Sequence, residues 1–281
     1  MTVSKPNYAD LRQYMDDRFA SVSSATAVGW TFKQDPTFFQ YMEHVSKEHG
    51  AQYLQCIETQ YPQVTFEALR AFVQTNDRYG GSTKFIFTFH CTVSQSTKLL
   101  YCSPSTLRYA FQALLTLDYM SKTECRCLVE WGAGYGGMFL GLQAFAGLFY
   151  PDGGLDQVVL VEMPEVVPLL TAYVAAATAA PTALAAPSSV SYHIVSANGE
   201  LPPVQGAFFV SHFCFTELDA AEQARIRGWM GACAHGILTW QTCFGDAVEG
   251  AGSLLGVNVE RVEEEVPATA PSHVKNHYVY F

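Results

Sequence analysis

The chain has 281 residues and a mass of 30.9 kDa, enough to bury a substantial core as one large domain or as a domain with a cap. Hydrophobic residues make up 49% of it and charged residues only 15%, which excludes a disordered chain. A formal net charge of −10 and an isoelectric point near 5.2, with no Lys/Arg stripe, argue against nucleic acid as a partner, because phosphate binding needs a basic surface.

Residues 1–110 read as an N-terminal helical cap segment. Asp10–Ser21 is amphipathic. Asp35 is an N-cap with Pro36 at the first helical position, ahead of Phe38, Phe39, Tyr41, Met42 and Val45. A third helix, Thr65–Gln74, carries Phe66, Leu69, Phe72 and Val73 at helical spacing; the aromatic stripe reads as core rather than as a cofactor box. Asn76-Asp77-Arg78-Tyr79-Gly80-Gly81 breaks the helix and leads to the strand-like run Phe85–Phe89. Ser103-Pro104 then opens a helix that ends before Cys127.

From residue 111 to 281 strands and helices alternate. The predicted strands are Leu128–Glu130, Val158–Val161, Val190–Val195, Ala207–Phe213 and Gly236–Gln241, a pattern that implies a parallel sheet covered on both faces. Val257–Val262 and His277–Phe281 lack a crossover helix and predict an antiparallel edge. Tyr173–Ser189 is alanine-rich and is expected to be a helix running into a surface loop, without chemistry. No secretory signal and no apolar run of membrane-spanning length is visible. Eight cysteines without C-x-x-C spacing read as reduced thiols in a cytoplasmic protein with no metal site.

The most informative stretch is Leu128-Val129-Glu130-Trp131-Gly132-Ala133-Gly134-Tyr135-Gly136-Gly137, a buried strand entering a glycine-rich turn and an apolar helix. Such a turn lets backbone approach a ligand closely. Gly132, Gly134 and Gly137 also satisfy G-x-G-x-x-G, so the glycines alone do not separate a dinucleotide site from one for S-adenosylmethionine (SAM). Glu130 does. A carboxylate at the strand's carboxyl end faces the crevice where α/β sheets bind ligands; it suits a cationic amino group and would repel a pyrophosphate. A second acid, Glu162, ends the next predicted strand, where an acid accepts hydrogen bonds from ribose hydroxyls.

At the fourth predicted strand, Ser211-His212 falls beside the reactive end of such a site. An imidazole near its ordinary pKa of about 6.5 can take a hydroxyl proton at neutral pH. Thr216 reads as an N-cap with Asp219 at N3, leaving Glu217 either a dipole-stabilised first helical residue or a substrate-binding or basic group. Asn198, just past the third strand, is an adenine neighbour. The polar loop Pro271–His277 either closes over a substrate or is an ordinary turn.

These residues resemble the sugar O-methyltransferases, class I SAM-dependent enzymes. The resemblance runs through Asn76-Asp77 with Gly80-Gly81, Ser103-Pro104-Ser105-Thr106-Leu107-Arg108-Tyr109, Val129–Gly137, Val161-Glu162-Met163-Pro164-Glu165, Ser211–Glu217 and Asn276. The departures are Met163, where the family has leucine, and His212, where asparagine is commoner. The resemblance implies an α/β, Rossmann-like, doubly wound sheet with an antiparallel C-terminal edge and an N-terminal helical cap. It implies methyl transfer from SAM to a hydroxyl of a sugar, often a deoxyhexose within a glycan.

In that frame Glu130, Gly132, Ala133, Gly134, Tyr135, Gly136, Glu162, Met163, Asn198, Ser211 and Arg108 hold the cofactor, Arg108 through its carboxylate. Asn76, Tyr109, His273 and Asn276 face the acceptor, and His212, Glu217 and Asp77 are the candidate bases. The alternatives are an NAD(P)-dependent reductase, disfavoured by Glu130, and a catalytically inactive SAM-fold protein that activates a partner.

Overall fold

The structure, a computed structural model, describes residues 5–23, 26, 29–91, 96–152, 154–179, 190–200, 202, 204, 206–244, 247–270 and 274–281. The N-terminal segment contains α1 (Ala9–Phe19) and α2 (Pro36–Phe38), the latter continuing as a π-helical turn over Phe39–Glu43. The Asp35 side chain accepts the Thr37 N–H, as an N-cap should. Then come α3 (Lys47–Gln60) and α4 (Phe66–Asn76), capped by Ser46 and Thr65. The sequence reading did not anticipate α3. It also found only one strand of the hairpin formed by β1 (Phe85–Cys91) and β2 (Ser96–Cys102).

Helix α5 (Pro104–Lys122) is buried along most of its length. The 110/111 boundary read from the sequence lies inside it, and one hydrophobic core runs from Leu11 and Met15 through Leu114 to Tyr280. The remaining elements are β3 (Cys127–Trp131), α6 (Gly137–Phe145), β4 (Gln157–Glu162), α7 (Val167–Ala179), β5 (Ser191–Ser196), β6 (Phe208–Ser211), α8 (Ala220–Met230), β7 (His235–Gln241), α9 (Ala251–Leu255), β8 (Arg261–Glu264) and β9 (Asn276–Tyr280).

Seven strands make one sheet in the order β5-β4-β3-β6-β7-β9-β8. The first five are parallel; β9 pairs antiparallel with both β7 and β8. This is the Rossmann-like, doubly wound α/β order, with its switch point between β3 and β6. The late edge differs in detail from expectation: β9 is inserted, and the exposed edge strand is β8.

Alternation along β3 feeds both faces. Leu128 joins Val158, Leu160, Phe208 and Val210 under α5, α6 and the N-terminal segment. Val129 and Trp131 join Val159, Phe209, Leu238 and Trp240 on the other face, where Trp131 meets Trp229 of α8 edge-on at 5.2 Å. Burial of such side chains contributes about 1.5–3 kcal/mol each and fixes the strand ends that carry the candidate site. Among the described residues no helix is long and apolar enough to cross a membrane.

Candidate functional site

The carboxyl ends of β3, β4 and β6 open onto a cleft enclosing about 1130 Å3 of atom-free space, its solvent mouth included. Its floor is the turn after β3. Gly132 and Ala133 donate their N–H groups to the Val161 carbonyl at 3.0 and 3.2 Å, pinning the turn to β4. Gly132 has φ of 81° and Gly134 of 57°, a region that costs other residues strain. A Cβ on Gly132 would lie 2.7 Å from the Cys214 side chain, so the turn closes only with glycine there.

Two carboxylates face this turn. Glu130 is 5% exposed and lines the cleft, and its Oε2 has no hydrogen-bond partner. Burial, then the neighbouring Glu162 charge, hold its pKa well above the carboxylate range. Glu162 is also raised, to about 7, by burial; the N–H groups of Met163 (2.8 Å) and Gly134 (2.6 Å), which it accepts, counter that shift. The floor thus holds two buried carboxyl groups that form no ion pair among the described residues, and a cation bound there would favour their ionised form.

The far wall comes from α5 and the loop after β6. Arg108, 7% exposed, donates Nη2–H to the Met42 carbonyl at 2.8 Å, while its Nε–H has no partner. Arg108, Gln112 and Thr116 follow one another at i, i+4 and i+8 along a single face of α5. Arg108 and Gln112 line the cleft, and the Thr116 hydroxyl lies 3.4 Å from His212 Nε2.

His212 Nδ1 is 2.7 Å from the Thr239 hydroxyl. Burial, with Arg108 nearby, pushes the imidazole down to about 3. An ordinary imidazole, as expected from the sequence, is therefore not what the cleft contains; the ring is neutral and weakly basic at neutral pH. The next residue, Phe213, has φ of 54°, backbone strain of the kind that clusters at functional loops.

Glu217 also lines the cleft. Its Oε1 accepts Gln241 Nε2–H at 2.9 Å and its Oε2 accepts the phenol of Tyr8. Burial raises its pKa against these two donors and Arg108. Its local setting differs from the expected one. Phe215–Glu217 is a 3-10 turn, Thr216 bonds Gln241, and Asp219 itself caps α8 by accepting Ala221 and Glu222 N–H at 2.9 Å.

Of the residues singled out from sequence, the cleft brings together Glu130, Gly132, Ala133, Gly134, Glu162, Met163, Arg108, Tyr109, His212 and Glu217. Others lie outside its lining. Asp77 is buried and accepts Ser103 N–H (2.7 Å) and the Thr106 hydroxyl, and Asn76 donates to Thr106 at 2.7 Å; both tie α4 to α5. Tyr135 bonds Glu43 at 2.7 Å, Gly136 packs against Val174 of α7, and Ser211 is buried. Asn198 accepts Arg225 Nη1–H at 3.2 Å, and Asn276 donates to Glu265 at 2.9 Å. His273 lies outside the described residues, as does the alanine-rich segment beyond Ala179.

The sequence reading missed Tyr8, Tyr41, Met42 and His44, which cover the cleft from the N-terminal segment, and Gln112, Arg225 and Gln241. The polar stripe Arg108–Gln112–Thr116 on an otherwise apolar helix was a usable signal for Gln112. Nothing local marks Tyr8.

No family model and no curated protein matches the chain. Solved structures similar to it are distant in sequence. Magnesium protoporphyrin IX methyltransferase from Synechocystis PCC 6803 with bound SAM is 12% identical, with a TM-score of 0.41 over 62% of this chain and 82% of that one. LepI in complex with S-adenosylhomocysteine (SAH) and a substrate analogue is 14% identical, with a TM-score of 0.41 over 96% and 75%. Human N-acetylserotonin methyltransferase with SAM is 8% identical, with a TM-score of 0.40 over 89% and 68%.

Proposed function

We propose that the chain is a SAM-dependent O-methyltransferase acting on a hydroxyl of a sugar, of the deoxyhexose type within a glycan. The observation that carries the SAM reading is Glu130, a buried carboxylate with an unpartnered oxygen beside a glycine turn. A cationic amino group satisfies it and favours its ionised form; a pyrophosphate finds no cationic partner beside these two acids, which favours SAM over the reductase reading. SAM supplies a methyl group on a sulfonium sulfur. Glu162 accepts from the ribose hydroxyls, the Gly132–Gly134 turn admits the ligand's backbone-hugging end, and Arg108 offers its free Nε–H to a carboxylate.

Positioning is the main contribution of the protein, together with removal of one proton. Glu217 is better placed for that than His212, whose depressed basicity and hydroxyl partners suit it to orienting an acceptor. The sugar assignment rests on the sequence resemblance and on the polar groups of the acceptor wall, Gln112, His212, Glu217 and Gln241.

Isothermal titration tests the reading. SAH binds and NADH does not, and Glu162→Ala weakens SAH about ten- to a hundredfold, the cost of one charged hydrogen-bonding group. Binding of NADH in place of SAH overturns it.

A further inference from the structure

A second cavity lies against the outside of the cleft, between the N-terminal segment and the start of α8. Tyr8, Glu217, Leu218 and Glu222 line both cavities, so these four side chains form the partition between them. The outer cavity is polar, bordered by Lys5, Asn7, Arg12, Gln13 and Asp16. Lys5 donates to the Leu218 carbonyl at 2.5 Å and Arg12 lies 3.8 Å from Glu222, so the N-terminal segment is tied to the partition from outside. The Tyr8 ring lies tilted against Tyr41 with ring centroids 5.3 Å apart, and its phenol donates to Glu217.

We propose that Tyr8 is a catalytic residue: its phenol passes the proton of the acceptor hydroxyl to Glu217, which releases it into the outer cavity. The inference rests on the methyltransferase reading of the cleft. In the step, the acceptor oxygen forms a bond to the methyl carbon while the carbon–sulfur bond breaks, its electron pair staying on sulfur. The acceptor O–H proton moves to the Tyr8 oxygen as the Tyr8 proton moves to Glu217 Oε2, leaving a neutral carboxyl group and a regenerated phenol. Glu217 then loses the proton to water on its outer side. A phenol can act this way because its oxygen accepts one hydrogen bond while its hydrogen donates another.

The groups facing Glu217 set its titration. They are Tyr8 from the N-terminal segment, Gln241 from β7, Arg108 from α5, Cys214 and Cys243 from the adjoining loops, and Glu222 from α8. Tyr8 and Gln241 donate to the carboxylate and favour its charged form. Removing the Tyr8 donor therefore raises the Glu217 pKa further.

The test uses the full chain with carbon-13-labelled glutamate, the Glu217 signal being identified by its loss in Glu217→Gln. In the SAH complex, Tyr8→Phe should move the Glu217 titration upward while SAH affinity stays unchanged. With labelled SAM and methyl α-rhamnopyranoside as acceptor probe, kcat should fall about a hundredfold or more with KM unchanged. The loss should persist on the alkaline plateau, where a mere pKa shift would be outrun. An unmoved titration, or full recovery of kcat at high pH, overturns the relay. A wild-type protein that binds no SAH overturns instead the reading of the cleft on which the relay stands. If SAH binds but the glycoside is not methylated, the acceptor assignment fails and the relay from that acceptor falls with it.

Discussion

At the scale of single residues, the cleft is organised by groups kept away from their ordinary protonation. Glu130 is the clearest. Its carboxyl is raised by burial and by Glu162, so its ionised fraction grows as pH rises, and an ammonium group pairs only with the ionised form. SAH affinity should therefore increase with pH in the wild type and be flatter in Glu130→Gln; parallel pH dependences in titration calorimetry would remove Glu130 from the amino-group contact. His212 makes the opposite statement. With its imidazole pushed down to about 3, it stays neutral across the working range and contributes no limb to the rate profile near the ordinary imidazole value of about 6.5; a limb there belongs to a raised carboxyl such as Glu162. His212→Ala should lower turnover without moving whatever limb is present, measured as initial rate against pH.

Glu130 and Glu162 were legible in the sequence because each sits at a fixed offset from a strand end or a glycine. Tyr8 was not, because it reaches Glu217 across 209 residues, and no local pattern encodes a contact that only the assembled fold creates.

Among the elements, four of the five parallel strands, β3, β4, β6 and β7, were legible because each is a short, almost wholly buried run, and burial on both faces leaves a continuous apolar signature; the edge strand β5 is half exposed and was marked by its β-branched and aromatic residues instead. Helix α3 was not legible. Its large buried residues Tyr53, Leu54, Cys56 and Ile57 are confined to the stretch from its middle onward, and Gly50 interrupts its start. That glycine has a packing cause. A Cβ there would lie 2.9 Å from the Pro104 Cβ and 3.0 Å from its Cα, at the start of α5. Gly→Ala inside a helix ordinarily stabilises by about 0.5–1 kcal/mol. Here the sign should reverse, and Gly50→Ala should lower the Tm in a thermal melt. An unchanged or higher Tm would mean that α3 can slide off α5 at little cost. The strand β2 escaped notice because its burial alternates with three exposed residues, Thr97, Lys98 and Leu99, in a row.

For the whole molecule, the carboxylates of the cleft set a cost that varies with pH. Glu162 has a folded pKa raised from 4.5 to about 7, so the folded state binds its proton more tightly than the unfolded chain does. The stability linked to that proton is fully present below about 4.5 and is lost as pH rises through about 7. His212 and His44, pushed down to about 3 and about 4 by burial, act in the opposite sense as they deprotonate. The difference between wild type and Glu162→Gln isolates the carboxylate: in denaturant melts the variant should gain on the wild type as pH rises from 5 to 8. A constant difference would place the Glu162 titration outside that window.

The buried Lys33 carries one more consequence. Its ammonium donates to the Asn76 carbonyl at 2.8 Å and the Tyr173 hydroxyl at 3.1 Å, and lies 4.3 Å from the ring centre of Tyr135. Glu43 takes the phenol of that same Tyr135, which belongs to the glycine turn. The segment over the cleft is thus also a foundation under its floor. Such a chain is poor material for recombination: a foreign cap joined at α5 would bring neither the ammonium nor the carboxylate that seats Tyr135. Cap segment and sheet are therefore one cooperative unit, and exchange of the segment over the cleft should unseat Tyr135 from the glycine turn.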